Sequence, residues 1–309
     1  MSKKILFVTG LNGFVGTNLR QYLGDKFELK AVPRISSTKH YEFNSFFKND
    51  HSNSSFIHLA GKAHDLKKVS NPEDYYTVNT ELTKIIFDKF LKSDAKTFIF
   101  LSTVKAVANQ VDDELTEEAF PNPITYYGKS KLLAEQYILS KEISVGKRVY
   151  ILRPCMIHGP GNKGNLNQLY NMVSKGLPWP LGSFENSRSY LSIENLCFII
   201  KELIEREDIP SGVYNLADDV PLSTNEVISM IAESKSKKAN IWKLSKSFIK
   251  ALARVGDFLK LPLNSERLQK LTERYLVSNA KIKEALGKPL PVSSKGGLLR
   301  TFQFFAENA

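Results

Sequence analysis

The stretch "KILFVTGLNGFVG", residues 4–16, constrains this chain more than any other. It begins as an unbroken apolar run. A strand with that pattern is buried on both faces, as in a parallel sheet. It then passes through Gly10, Gly13 and Gly16 into residues with helical spacing, Phe14, Val15, Leu19, Tyr22 and Leu23. A glycine-rich turn between a buried strand and a helix can serve three purposes. It permits a tight reversal, lets a pyrophosphate approach the backbone, and packs helix closely on strand. The helix start offers unpaired N–H groups and a partial positive charge to that anion.

The same alternation continues. "FELKAV", "SFIHLAG", "KTFIFLST" and "RVYILRP" read as strands. "YYTVNTELTKIIFDKFLKS" and "YYGKSKLLAEQYILSKE" read as amphipathic helices. Strands alternating with helices predict right-handed βαβ units and a doubly wound, Rossmann-type parallel sheet. The second half is less regular. "ENLCFIIKELIER" and "GVYNLA" predict a return to the sheet. "STNEVISMIAESK" opens with a capping box formed by Ser223 or Thr224 with Glu226. The expected division is a dinucleotide-binding domain of residues 1–157 plus 190–218, and a smaller, mostly helical substrate domain of 158–189 plus 219–309.

The 43 basic and 32 acidic residues leave a net charge of +11. The lysines are scattered and no aromatic-basic module accompanies them. An anionic small molecule therefore fits better than nucleic acid. Cys155 and Cys197 have neither metal nor redox spacing, and no metal site is expected. The start "MSKKILFVTG" lacks the core of a signal peptide, and no run reaches the ~20 apolar residues of a membrane span. A cytoplasmic protein is expected. Residues 241–260, "IWKLSKSFIKALARVGDFLK", form an amphipathic helix with a basic face. It is expected to pack its apolar side on the smaller domain, with no membrane partner; lipid contact is the alternative.

The order of "TGLNGFVG", "FIHLAG", "VNT", "FIFLST", "YYGKSK", "ILRPCMIHGPG", "SRSYLSIENL" and "VYNLADDVPLSTNEVI" resembles the extended short-chain dehydrogenase/reductases, the NAD-dependent epimerase/dehydratase superfamily, over nearly the whole chain. The nearest branch is UDP-glucose 4-epimerase-like and includes reductases of UDP-4-keto-6-deoxy-N-acetylhexosamines. The resemblance implies that Thr103, Tyr127 and Lys131 are catalytic, with Ser102 the alternative hydroxyl. Tyr127 and Lys131 are four apart, on one helix face. The lysine charge, with that of an oxidised nicotinamide, is expected to favour phenolate and lower the phenol pKa, so that Tyr127 removes a hydroxyl proton as hydride leaves the same carbon. Tyr126, whose fourth neighbour is Ser130, is expected to pack or line the pocket.

The resemblance places the cofactor against Gly10, Asn12, Gly13, Phe14, Val15, Gly16, Leu59, Ala60, Gly61, Asn79, Tyr127, Lys131 and Pro154. The second strand ends in "KAVPRISS", without the acid that holds an NAD ribose, and Arg34 suits a 2′-phosphate. NADP is therefore favoured over NAD. Lys62, His64, Thr103 and Lys105 are expected on the sugar side, Asn165 and Arg188 at a diphosphate, and Arg267 as a second arginine. Val104 and Lys105 stand where a 4,6-dehydratase needs carboxylates. The expected reaction is oxidoreduction at carbon 4 of a UDP-sugar in surface-polysaccharide precursor synthesis, leaning to a 4-ketoreductase. A UDP-hexose 4-epimerase with retained NAD is the alternative. A 3,5-epimerase/reductase using Cys155 and His158, or a non-catalytic NAD(P)-binding protein, is more remote. A homodimer through helices near 75–92 and 126–141 is expected.

Overall fold

A computed structural model describes residues 3–32, 54–63, 71–162, 164–259 and 264–308, with the side chain of Asn165 left out. In chain order the elements begin with β1 (Ile5–Thr9), α1 (Phe14–Leu23), β2 (Glu28–Ala31) and β3 (Ser54–His58). Next come α2 (Pro72–Tyr76), a π-helical stretch over Thr77–Glu81, α3 (Leu82–Lys92), β4 (Thr97–Leu101) and β5 (Glu114–Leu115). Then follow α4 (Tyr126–Leu139), β6 (Arg148–Pro154), β7 (Met156–His158), α5 (Asn165–Ser174), β8 (Tyr190–Ser192), α6 (Ile193–Glu205) and β9 (Gly212–Leu216). The chain finishes with α7 (Thr224–Glu233), α8 (Lys246–Leu259), α9 (Ser265–Thr272), β10 (Leu276–Val277), α10 (Ala280–Leu286) and α11 (Ser294–Glu307).

Six strands form one parallel sheet in the order β2-β1-β3-β4-β6-β9. The apolar runs lie in it for the expected reason, since both faces are covered. On one face Leu6, Val8, Leu152 and Tyr214 pack with Leu19 of α1 and Leu196 and Leu203 of α6. On the other, Phe7, Phe56, Phe98 and Phe100 meet Phe87 and Phe90 of α3, with Phe87 and Phe98 edge-on at 4.9 Å. The chain leaves β1 in one direction to β2, and β3 returns on the other side of β1. That divergence opens a crevice at the carboxyl ends of β1 and β3, where ligands bind in such sheets.

Helices α5, α7, α8, α9 and α11 contribute to two further apolar clusters. Leu166 and Tyr170 pack with Val227 and Ile231 of α7 and with Phe302 and Phe305 of α11. Trp179, Leu181 and Ile228 pack with Ile249, Ala253 and Leu268. Ser223 caps α7 with Glu226 in the expected box. Residues 280–290 sit elsewhere than the expected division put them. Ile282, Leu286 and Leu290 bury themselves in the large core beside α6.

The expectation for the 241–260 helix is only partly met. Ile249, Ala253 and Gly256 face inward, while Phe248, Leu252, Val255, Phe258 and Leu259 are exposed. Among the described residues no helix is long and apolar enough to cross a membrane.

Candidate active site

The glycine turn closes against the neighbouring strand end. Gly10 has φ +73°, and a Cβ there would stand 2.9 Å from the Ala60 amide nitrogen. A Cβ at Gly16 would lie 2.5 Å from the carbonyls of Gly10 and Leu11, so α1 seats on the turn only without one. Gly13 N–H donates to Gly10 O at 2.9 Å, and no acidic residue fills the first turn of α1. The exposed Gly10, Asn12 and Gly13, with Phe14 and Val15 half-buried behind them, border the crevice opposite Leu59, Ala60 and Gly61. This backbone-lined cradle with a helix start suits a dinucleotide pyrophosphate. Asn12 Oδ1 accepts from Arg20. Pro154 is buried at the end of β6.

Asn79 lies in the π-helical stretch, the kind of helix widening often found at functional sites. Its side chain is fully buried and grips the strand end after β3. Lys62 N–H donates to Oδ1 at 2.8 Å, and Nδ2 donates to Lys62 O and to Ser130 Oγ, each at 3.0 Å.

Behind Asn79 runs a hydrogen-bond chain whose directions are fixed. Ala60 N–H donates to Thr9 Oγ1 at 3.1 Å, and Thr9 meets His58 Nδ1 at 2.6 Å. His58 Nε2 meets Thr83 Oγ1 at 2.9 Å, and Thr83 donates to Asn79 O at 2.7 Å. Thr83 has spent its proton, so Nε2 carries the imidazole hydrogen and Nδ1 accepts from Thr9. His58 is neutral. Burial, then the charge of Lys131, pushes its pKa down to about 3. Sequence reasoning overlooked this residue, because a lone histidine inside an apolar run carries no motif.

Tyr127, Thr103 and Lys131 converge where β4 ends. The turn after Thr103 lies against the first turn of α4, and Gly128 makes that approach possible. A Cβ there would run into the Lys105 carbonyl and come within 2.9 Å of Pro123. Thr125 caps the helix, accepting from Gly128 N–H at 3.1 Å. Burial pushes the half-buried Tyr127 phenol up to about 12, while a hydrogen bond with Thr103 pulls in the opposite direction. The Lys131 ammonium is directed away from the phenol in the protein alone. It donates to Leu101 O at 2.8 Å, and a Cβ on Gly61 would stand 3.0 Å from Nζ. Burial brings Lys131 itself down to about 8, with Glu135 opposing. Tyr126 is 53% exposed.

Ser102 is engaged below the site. Its hydroxyl donates to Glu135 Oε1, and Glu135 also takes Arg153 Nη2 at 2.6 Å. Thr103 is therefore the strand-end hydroxyl turned toward the phenol. On the outer side, Lys105 donates to Asn109 O at 3.0 Å and lies 3.9 Å over the Tyr275 ring. Burial lowers its pKa to about 8, with the charges of Glu273, Arg188 and Lys270 nearby. Arg188 donates to Lys270 O at 2.7 Å and pairs with Glu273 at 3.3 Å. Lys62 turns its ammonium to Asp74 at 2.8 Å. Arg267 is exposed on α9, one turn before Lys270. Arg34 and His64 lie outside the described residues, and of Asn165 only the backbone, opening α5, is described.

The remote acid–base reading of Cys155 and His158 finds no support. His158 is fully buried, hydrogen-bonded to Thr301 at 2.9 Å, and burial raises the Cys155 thiol well above its usual value. Among the described residues no cluster of three or more His, Cys, Asp or Glu could hold a metal.

Residues 6–217 match the model of the NAD dependent epimerase/dehydratase family. A UDP-glucose 4-epimerase of Vibrio cholerae is 30% identical over 324 residues, covering 99% of this chain and 97% of that protein. The N-acetyl-alpha-D-glucosaminyl-diphospho-ditrans,octacis-undecaprenol 4-epimerase of Escherichia coli O157:H7 is 25% identical, covering 98% of this chain and 96% of that protein. Among solved structures, RMD from Pseudomonas aeruginosa complexed with NADPH superposes with a TM-score of 0.74 at 22% identity. It covers 99% of this chain and 100% of that one.

Proposed function

This chain belongs to the NAD dependent epimerase/dehydratase family, and from that membership we propose that it interconverts the two configurations at carbon 4 of a UDP-linked hexose, as a 4-epimerase that retains NAD. It is an enzyme of the extended short-chain dehydrogenase type, acting on nucleotide sugars with NAD(P). The observation that supports proton and hydride transfer at a sugar hydroxyl is the convergence of Thr103, Tyr127 and Lys131 at the end of β4, with Lys131 against Gly61 at the crevice.

The glycine cradle and the free start of α1 fit the pyrophosphate of NAD(P), which when bound supplies the hydride acceptor and donor. Thr103 orients the sugar hydroxyl. Tyr127 takes its proton as the carbon–hydrogen bond breaks and returns it to the new alkoxide. Lys131 steadies the cofactor ribose and, once turned toward the phenol, favours its ionised form. Asn79, through Lys62, holds the Gly61 backbone where the nicotinamide end must pass. Lys105 and Arg188 form the anion-facing wall that receives the diphosphate, and Asn165 and Arg267 are proposed to contribute to its binding. Both named 4-epimerase relatives act on a sugar carried through a diphosphate.

The sequence leaned to a 4-ketoreductase through Arg34. Whole-length similarity to two 4-epimerases favours epimerisation instead. Reductase remains the second reading, supported by 27% identity to a GDP-6-deoxy-D-mannose reductase of Pseudomonas aeruginosa over 74% of this chain. Arg34 continues to favour NADP under that reading.

We also propose a homodimer, supported by exposed Ile85 on α3 and exposed Leu133 and Leu139 on α4. A cytoplasmic location is supported by the two free thiols.

The deciding experiment incubates the purified protein with UDP-glucose, and separately UDP-N-acetylglucosamine, without added cofactor, and follows the sugar by NMR. Appearance of the carbon-4 epimer establishes the proposal. Its absence, with stoichiometric NADPH consumption on a UDP-4-keto-6-deoxy-N-acetylhexosamine, replaces it by the reductase. Absence of both refutes carbon-4 chemistry on UDP-sugars.

A further inference from the structure

We propose that the exposed face of the Lys246–Leu259 helix docks the protein on an anionic lipid bilayer. The helix has two apolar strips rather than one. Ile249, Ala253 and Gly256 form the first, and the helix rests by it on the cluster of Trp179, Leu181, Ile228 and Leu268. Phe248, Leu252, Val255 and Leu259 form the second, at successive steps of four, three and four residues, and it faces outward. Phe258, beside it, is 87% exposed, and Trp242, just before the helix, is 49% exposed. So many large apolar side chains on one short helix form a contiguous patch, unlike isolated surface residues.

Charge selects the partner. Lys246, Lys250 and Arg254 are exposed on the far side of the helix from the strip, with Phe258 between, and Lys243 precedes the helix. The helix has one acid, Asp257, which is tied to Ser265 by bonds of 2.9 and 2.5 Å. A strongly amphipathic helix with an outward apolar strip and a separate cationic face is the form that lies in a bilayer interface. Its 14 residues span about 21 Å, short of the ~30 Å hydrocarbon core. It can therefore lie on a membrane but cannot cross one. The site lies close by. Leu268 of the next helix packs in the same cluster, and Lys270 of that helix holds Arg188. Docking would set the anion-facing wall beside the lipid surface.

The test is co-sedimentation of the full chain with vesicles of phosphatidylcholine alone and of phosphatidylcholine with phosphatidylglycerol. Binding should be at least tenfold stronger to the anionic vesicles and should weaken with salt. Phe248→Ser with Leu252→Ser should lose at least tenfold on those vesicles. Lys250→Glu with Arg254→Glu should also lose more than tenfold, since each basic residue near an anionic surface contributes about fivefold. Both variants should keep the thermal shift induced by NADH, which reports an intact fold. No binding of the unaltered protein to anionic vesicles overturns the proposal. So does equal binding of the variants. A native dimer that the serine variant converts to monomer by light scattering also overturns it, and assigns the strip to a second copy.

Discussion

Arg153 holds the Glu135 carboxylate from β6, with Nε 3.1 Å from both oxygens and Nη2 2.6 Å from one, and the two side chains are 6% and 1% exposed. Ser102 completes the cluster from β4. Glu135 stands one helical turn after Lys131 and two after Tyr127, so this ion pair anchors the face of α4 that carries them to the sheet. Removing one partner leaves a buried charge unpaired. Glu135→Leu should cost about 3–5 kcal/mol in urea unfolding, and Glu135→Leu with Arg153→Met should recover much of that loss.

Tyr127→Phe removes the proton acceptor while keeping the packing of the ring. The variant should fold and bind NADH normally, and turnover should fall by about 10²- to 10⁴-fold. Thr103→Val should also lower turnover. Ser102→Ala should act on stability, because its hydroxyl is bound to Glu135. Equal activity losses from the two hydroxyl variants would refute the assignment of Thr103.

Two glycines should resist alanine for different reasons. At Gly10 the backbone is left-handed and a Cβ meets the Ala60 amide, so Gly10→Ala should weaken NADH binding in a fluorescence titration and lower stability by about 1–3 kcal/mol. At Gly128 the added methyl meets the Lys105 carbonyl. Gly128→Ala should push α4 away from the turn after Thr103. Its signature is turnover lost together with stability, while the glycine turn at β1 still binds NADH.

His58 gives the fold an acid sensitivity. Its pKa is about 3 when folded against 6.5 in its ordinary state. Between those values the unfolded chain binds a proton that the folded protein does not. Stability from His58 is therefore complete above about pH 6.5 and falls at up to about 1.4 kcal/mol per pH unit as the pH drops toward 3. Urea midpoints at pH 7 and pH 5 should differ more in the unaltered protein than in His58→Asn. An equal difference in both would assign the acid sensitivity to other groups.

The parallel sheet was legible because both of its faces are covered, which forces runs such as "KILFVTG" and "KTFIFLST" to be apolar throughout. The glycine turn was legible because backbone conformation and close approach demand glycine there. Thr103, Tyr127 and Lys131 were legible through the resemblance of "FIFLST" and "YYGKSK" to the family, with Tyr127 and Lys131 four apart on one helix face. Glu135, Arg153 and His58 did not. Each is a common residue type whose significance depends on a partner 18, 33 or 49 positions away. The outward strip of the Lys246–Leu259 helix was hidden for a related reason. Periodicity reveals that a helix has an apolar side, but not how much of it the rest of the protein covers.

By itself, the sequence determined the main strands and helices of the sheet and their doubly wound arrangement, which follow from local periodicity and burial, and it placed Tyr127 and Lys131 on one helix face. Tertiary structure alone decided which strand-end hydroxyl faces the phenol, where the Lys131 ammonium points, and which apolar surface remains in water. Those outcomes depend on contacts between segments far apart in the chain, and a hydrogen bond or a buried charge acquires its energy only when its partner is in place.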